Sequence, residues 1–468
     1  MSETRDRLQR LWFIGFAGHR SVPDPLMTKA AIRRELDLIV GTVHGQPVGI
    51  ASAAAGSDLL FLDACREAGI RTVVLLPFSR ERFGADFDDV EEWRHACRCM
   101  DEAWWLEVSP GGEEAPAAYH VTAREVLEIS DRMLFLWDGH VSRGLGGTAE
   151  SVQEAQDRGL ASRVIDASTL LAFWNGAVPE PAMTDLSFEE MPAASSVAEL
   201  FGKLDVRATE NAPKSRRFAA GSMSLNHLAG LVQALVVTFV SLAAETGALI
   251  KFILVSIAAL LPWVGGRLRW QEQWVRDRLR AELLRSLTAS HDPGSPLRPS
   301  ALELFGHEEA FLRSCAMHLV DCRKGWQAAR DAYLTERIDG QITYLQGKGD
   351  LAARRMRVFG KLFWTASGCA MLLGGVAVFI AFMKVPLPGW LAFSAAVLPG
   401  LAAWLLAMIS VFEFKRRANL YHQLVDELKR LRPKVAAAQC ASVVSQAMNQ
   451  IERLLLNELW EWQGSRKK

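Results

Sequence analysis

The sequence predicts two fold classes in one chain: an α/β doubly wound parallel sheet at the N-terminus, then an all-α transmembrane helical domain. Three observations predict them. Strand-length apolar runs alternate with helical patterns from Leu11 to Asp166, as in a parallel sheet covered on both faces. Two uncharged apolar arms occupy 363–382 and 390–412, and each has the roughly 20 residues that cross a bilayer core. Between these regions a Pro-, Ala-, Ser- and acid-rich stretch at 176–217 reads as a connector between domains. At 468 residues the chain is long enough for two or three domains.

The N-terminal domain is expected over 1–175. Its first strand is Leu11–Ala17, followed by a helix over Thr28–Val43. Val48–Ala53 comes next, with a helix from Ser57 to Glu67, and then Thr72–Pro77 with Asp88–Asp101. Ala103–Val108 precedes Tyr119–Ile129, Arg132–Trp137 precedes Thr148–Arg158, and Arg163–Asp166 closes the series. Ligands of such sheets bind beyond the carboxyl ends of the strands. There the sequence places Gly18, His19 and Arg20, then Gly56, Ser57 and Asp58, then Asp138 and Gly139. The run Gly144-Leu145-Gly146-Gly147-Thr148 leads into the next helix. Glycines let the backbone approach a ligand, and free amides at a helix start favour phosphate.

Plainer readings stand beside these. Ser57 could cap a helix and Asp58 complement its dipole. His19 could be a structural histidine, and the glycines a simple loop closure. Asp131 precedes its strand and reads as structural. His95, Cys97 and Cys99 do not share one helical face, so that trio is not expected to bind metal.

Composition narrows the classes. Net charge is zero and pI is near 7.2, so no global field favours nucleic acid. The seven cysteines lack a disulfide framework and fit reduced thiols. The charged start MSETRDRLQR has no signal-peptide core, and a cytoplasmic N-terminus is expected.

In the second arm pair, Lys384, Pro386, Pro388 and Gly389 supply the turn. Gly368, Gly374, Gly375 and Gly400 offer small-residue faces for helix contact. Upstream, 228–244 and 249–264 are also apolar, separated by Glu245-Thr246-Gly247. A single long span would bury Glu245 and Lys251, each at about 2.5–3.5 kcal/mol on insertion scales, so a break and four spans are expected. Between and after the pairs lie helices expected in the cytoplasm. Trp270, Trp274, Val275, Leu279 and Leu283 fall near one face. Tyr421, Leu424, Leu428 and Leu431 keep a stalk-like spacing, and Pro433 should end or kink that helix. Ile451, Leu455 and Leu459 belong to a C-terminal helix within 441–468.

Two resemblances emerge from these residues. FAGHR, AAAGSDLLFLDACREAGI, VVLLPF and ISDRMLFLWDG followed by GLGGTAE resemble the SLOG superfamily of Rossmann-like nucleotide sensors, which includes the lonely-guy phosphoribohydrolases. The resemblance implies a nucleotide pocket lined by Gly18, Arg20, Gly56, Asp58, Gly146, Gly147 and Thr148. The enzymes of that group carry a glutamate three residues after the threonine. Ser151 holds that position here, and Glu150 lies one residue early, which implies binding rather than catalysis. Arg337, Ile338, Gln341 and Tyr344, followed by a basic helix and paired spans, resemble SLATT domains over roughly 218–440. These are two-transmembrane effectors associated with SLOG sensors. Together they imply a bacterial inner-membrane effector of nucleotide-signalling defence, with a nucleotide ligand, no cofactor, lipid contact and homo-oligomers. A membrane-tethered hydrolase using Glu150 or Asp138, or an anchored scaffold, are the alternatives.

Basic clusters flank both arm pairs: Lys214, Arg216 and Arg217, Arg267 and Arg269, Arg354 to Lys361, and Lys415 to Arg417. Positive flanks stay cytoplasmic, so both termini and 265–362 are expected inside, with Gly247 and Lys384 outside. Single-cysteine labelling of intact cells should modify position 384 and leave position 465 untouched; labelling at 465 would overturn this topology.

Overall fold

The computed structural model describes residues 8–112, 114–141, 146–176, 178–179, 191–239, 244–267 and 270–464. Gly144, Leu145 and residues 177 and 180–190 of the connector lie outside the described residues. The chain forms two compact units: Met1–Val197 with Ser295–Cys322, and Ala198–Gly294 with Arg323–Lys468.

The first unit is built on strands β1 (Leu11–Gly18), β2 (Gln46–Ala51), β3 (Arg71–Leu76), β4 (Trp105–Val108), β5 (Arg132–Trp137), β6 (Ser162–Asp166) and β7 (Ala172–Asn175). They are ordered β4-β3-β2-β1-β5-β6-β7. All neighbours are parallel except β6 and β7. The sequence reading stops at Asp166 and misses β7, a short antiparallel edge. β2 ends earlier than expected because Ala53 takes φ +55°, a left-handed conformation that turns the chain out of the strand. Helices α1 (Pro25–Val40), α2 (Ser57–Glu67), α3 (Arg80–Gly84), α4 (Val90–Glu102), α5 (Ala115–Ile129) and α6 (Thr148–Asp157) surround the sheet.

Because side chains alternate along a strand, β1 feeds two cores. Ile14 and Phe16 pack with Ile32, Leu36 and Phe61. Leu11 and Phe13 pack on the opposite face with Val126, Leu127, Leu297 and Met317. Leu297 and Met317 come from 295–322, which the sequence reading assigns to the membrane-proximal helices. These residues instead complete the sheet domain. The Leu11 amide donates to Ser314 Oγ at 2.9 Å in helix α10 (Glu309–His318). The Arg313 guanidinium donates to the carbonyls of Leu297 and Ile129, each at 3.2 Å. Asp131 is structural: its carboxylate accepts from the Phe13 amide and from Arg10, both at 2.9 Å.

The second unit is helical. α7 (Val197–Phe239) opens inside the stretch read as connector, with Leu200, Leu204 and Ala208 buried at helical spacing; the connector therefore ends before 197. α8 (Ala244–Arg267) and α9 (Trp270–Ser290) follow. Beyond the return segment come α11 (Trp326–Ala332), a π-helical turn at Tyr333–Asp339, α12 (Gly340–Phe382), α13 (Gly389–Phe412), α14 (Phe414–Ala436) and α15 (Ala441–Gly464). Among the described residues, four helical stretches are long and apolar enough to cross a membrane: Phe218–Phe239, Glu245–Val264, and parts of Trp326–Phe382 and Gly389–Ala436. The chain is a membrane protein.

Its packing departs from the expected faces. The second arm pair meets through Ala366, Ala402 and Leu405. A Cβ at Gly368, Gly374 or Gly375 would meet nothing within 4 Å, whereas one at Gly400 would lie 3.5 Å from the His227 ring. In the first pair, a Cβ at Gly247 would come within 2.8 Å of Val236, so close approach requires glycine there. Leu424, Leu428 and Leu431 pack against Tyr333, Ile338, Met448 and Ile451 of the same chain, as ordinary helical packing within one subunit would have it. Pro433 does not end α14, which runs on to Ala436.

One polar group sits inside that helical core. Glu452 is fully buried and accepts from Arg337 Nε at 2.9 Å, Arg337 Nη2 at 2.6 Å and Tyr333 Oη at 2.8 Å. Burial, and then the adjacent carboxylate, push the Tyr333 phenol well above its usual range. Removing one partner leaves a buried charge uncompensated, so Arg337→Met should destabilise the protein by about 3–5 kcal/mol. R337M with E452L should regain most of that loss. Denaturant unfolding in detergent tests this, and a single variant as stable as the native chain would overturn it.

Candidate functional site

The strand order reverses between β1 and β5, where chains of this topology open a crevice at the carboxyl ends. A cavity of about 580 Å³ lies there, in the size range of small-molecule sites. Gly18, His19, Arg20, Asp58, Asp138, Gly146, Gly147 and Thr148 line it. The sequence places Gly56, Ser57 and Gly139 there too, but these three do not line it. Gly56 takes φ +85° and lies directly beneath the Arg20 carbonyl, with which any Cβ would overlap. Ser57 is fully buried and turns inward. Its amide and hydroxyl donate to the His19 carbonyl at 3.1 and 2.8 Å, tying the start of α2 to the end of β1. Gly139, at φ +77°, supplies the turn after β5.

Charges inside the cavity are arranged by sign. The Arg20 guanidinium lies 4.9 Å above the Tyr119 ring, and no carboxylate lies within ion-pair distance of it among the described residues. Tyr119 Oη donates to Asp86 Oδ2 at 2.6 Å, which fixes the ring under the cation. Burial, with that bond, pushes the Tyr119 phenol up to about 12. Helix α6 starts at Thr148 after its N-cap Gly147, and Gly147, Thr148 and Ala149, whose amides open the helix, line the same space. Arg20 and these amides form an anion-favouring end.

Two carboxylates face them. Asp58 Oδ2 accepts from Ser52 Oγ at 2.8 Å and the Ala54 amide at 3.3 Å. Burial still pushes it up to about 6, against those bonds and the pull of Arg20. Asp138 differs: the His140 amide, aided by His19, holds its carboxyl below the usual range. His19 Nε2 accepts the Asp138 amide at 3.0 Å, so this histidine braces β1 against β5 while lining the cavity.

Helix α5 supplies a wall that the glycine motifs gave no hint of. Pro116, Tyr119, Ala123 and Val126 face the cavity, an apolar and aromatic surface suited to a flat ring. Glu150 does not line it. Its Oε2 accepts the Gly146 amide at 2.7 Å, and Oε1 lies 3.5 Å from His120 Nδ1. Ser151 faces the cavity instead.

Residues 333–462 match the family described as SMODS and SLOG-associating 2TM effector domain 1. The match opens at the π-helical turn carrying Tyr333 and Arg337 and ends in α15 beyond Glu452, so it contains the buried trio and the second arm pair. Comparison with curated proteins finds no match.

Asp58 sets a pH dependence. Its folded value of about 6 exceeds the unfolded 3.8, so the folded state holds its proton longer. Stability from this group is therefore full below about pH 4, falls as pH rises and levels off above about 6, a span of about 3 kcal/mol. Asp58→Asn should remove that fall, as measured by unfolding of the full chain from pH 4 to 7; an unchanged pH profile would overturn it.

Proposed function

We propose that the chain is a membrane effector switched by a nucleotide that binds the β1–β5 crevice. In this reading it belongs to a bacterial nucleotide-signalling defence system and sits in the inner membrane with both termini in the cytoplasm. Arg20 and the α6 amides hold a phosphate. Asp58 and Asp138 accept from ribose hydroxyls, and α5 covers the base. The supporting observation is the pairing, in one chain, of an anion-favouring cavity with a match to a two-transmembrane effector domain. The position of Glu150 favours binding over hydrolysis, because its carboxylate is held by the Gly146 amide outside the cavity.

The output proposed is pore formation or membrane disruption. The 363–382 and 390–412 arms carry no Asp, Glu, Lys, Arg or His, whereas transporters and pumps keep such groups in their spans. The open face at Gly368, Gly374 and Gly375 is where a second copy would pack in a homo-oligomer. Ligand binding moves such an assembly only through different affinity for its two states.

Two measurements test this on the full chain. Mass spectrometry of small molecules released from the purified protein should find a nucleotide. Adding that nucleotide to dye-loaded proteoliposomes should release dye. Arg20→Ala should weaken binding by about 1.5–3 kcal/mol, as expected for a lost charged hydrogen bond, and Gly147→Val should block close backbone approach; neither variant should leak. Gly374→Ile should bind and stay sealed. Turnover of the nucleotide would select the hydrolase instead. Sealed liposomes at saturating ligand would reduce the protein to an anchored sensor.

A further inference from the structure

The sheet domain carries a second cluster, away from the β1–β5 crevice. Asp63 lies on α2, and His95 and Cys99 lie one turn apart on α4. One ligand atom from each falls within 4.8 Å of the other two. Asp63 and Cys99 are buried, and Cys99 is a free thiol. We propose that Asp63, His95 and Cys99 form a binding site for a divalent transition-metal ion, zinc in the first place.

The donor set and spacing carry this. Carboxylate oxygen, imidazole nitrogen and thiolate sulfur are the ligands zinc takes, at about 2.0–2.3 Å, and a tetrahedron of that size sets neighbouring ligand atoms a little over about 3 Å apart. His95 Nε2 and Asp63 Oδ2 are 3.1 Å apart. The other Asp63 oxygen, Oδ1, accepts from Arg66 Nη2 at 2.6 Å. Such outer bonds orient a ligating carboxylate. Two protein anions and one neutral imidazole balance the ion's charge.

A cavity of about 340 Å³ opens beside the cluster, lined by Asp63, Cys99, Arg66, Glu102 and Trp104. A fourth coordination position facing it would take water. Cys97, which the sequence groups with His95 and Cys99, takes no part; the third ligand comes from another helix. The ion would clamp α2 to α4. Asp58 stands on α2, and Glu92 of α4 accepts the Gly56 amide at 2.7 Å, so the clamp would stiffen the turn beneath Arg20.

Protons compete for the site. A zinc ligand set needs a neutral imidazole and a thiolate, so the ion competes with protons for His95 and Cys99; Arg66, Lys29 and Glu102 are the surrounding charges. Affinity should fall steeply as pH drops.

The test uses the full chain in detergent, stripped with a chelator and titrated with Co²⁺. One ion per chain should bind, with the absorption of a tetrahedral site and a thiolate-to-cobalt charge-transfer band. Zn²⁺ should displace it. Cys99→Ser should abolish the charge-transfer band, and Asp63→Asn or His95→Gln should weaken binding by at least ~100-fold. A measurement without variants guards against misfolding: Zn²⁺ should protect Cys99, but not Cys97, from alkylation read by peptide mass spectrometry. Absence of Co²⁺ binding, an unchanged spectrum in Cys99→Ser, or equal alkylation of Cys99 with and without Zn²⁺ would overturn the proposal.

Discussion

The second unit depends on one constraint: its apolar helices cannot cover themselves. Between 6% and 17% of each span's most apolar window is buried within the chain. Water would not tolerate that surface, and a lipid core requires every backbone group to be satisfied internally. Helices meet the requirement, and basic residues end them. Two polar contacts are made inside, while His227 Nε2 is buried with no hydrogen-bond partner among the described residues. Trp404 Nε1 donates to Ser224 Oγ at 3.1 Å, and Ser222 Oγ donates to the Ala258 carbonyl at 2.7 Å. The first bond links the two arm pairs, whose helices otherwise touch at few points such as His227 on Trp404 and Phe239 on Phe393.

Outside the apolar windows the same economy is reached by a buried charge pair. Arg337 and Glu452 fix the register of the π-helical turn against α15, where a hydrophobic pair would tolerate sliding. Bidentate geometry specifies position more than it adds stability. A π-turn widens the helix by one residue, and here it brings Tyr333 and Arg337 together onto one carboxylate.

The sheet domain was legible in part. Its parallel strands, the β1 and α6 loops and the four spans are local patterns, visible as periodicity and as runs of one residue type. Three things were not legible, for a shared reason. Leu297 and Met317 reach the sheet across a long stretch of chain, and no local period marks a segment that covers someone else's face. Tyr119 lines the crevice from the middle of a helix whose pattern reads only as amphipathic. Asp63 sits far in sequence from the histidine and cysteine it approaches. Gly56 and Ser57 were placed at the right turn but on the wrong side of it. A glycine required by a neighbouring carbonyl and one required by a ligand look alike in sequence.

The offset of Glu150 shows how much chemistry one position carries. Neighbouring helix residues are about 100° apart, so a carboxylate moved by one place leaves the cavity wall to Ser151. It does not become idle. It accepts the Gly146 amide and lies beside His120, which holds the glycine turn whose φ of +78° opens the way into α6. Glu150 thereby shapes the loop beside the cavity. A serine in its place can accept and donate hydrogen bonds, but at neutral pH it supplies no carboxylate to act as base. With Asp58 pushed up to about 6 by burial and Asp138 fixed by the His140 amide, the acidic groups of the crevice would, in the proposed reading, hold hydroxyls in place. An arrangement of that kind stabilises a bound ground state as well as any transition state, and uniform stabilisation of both raises affinity without raising turnover.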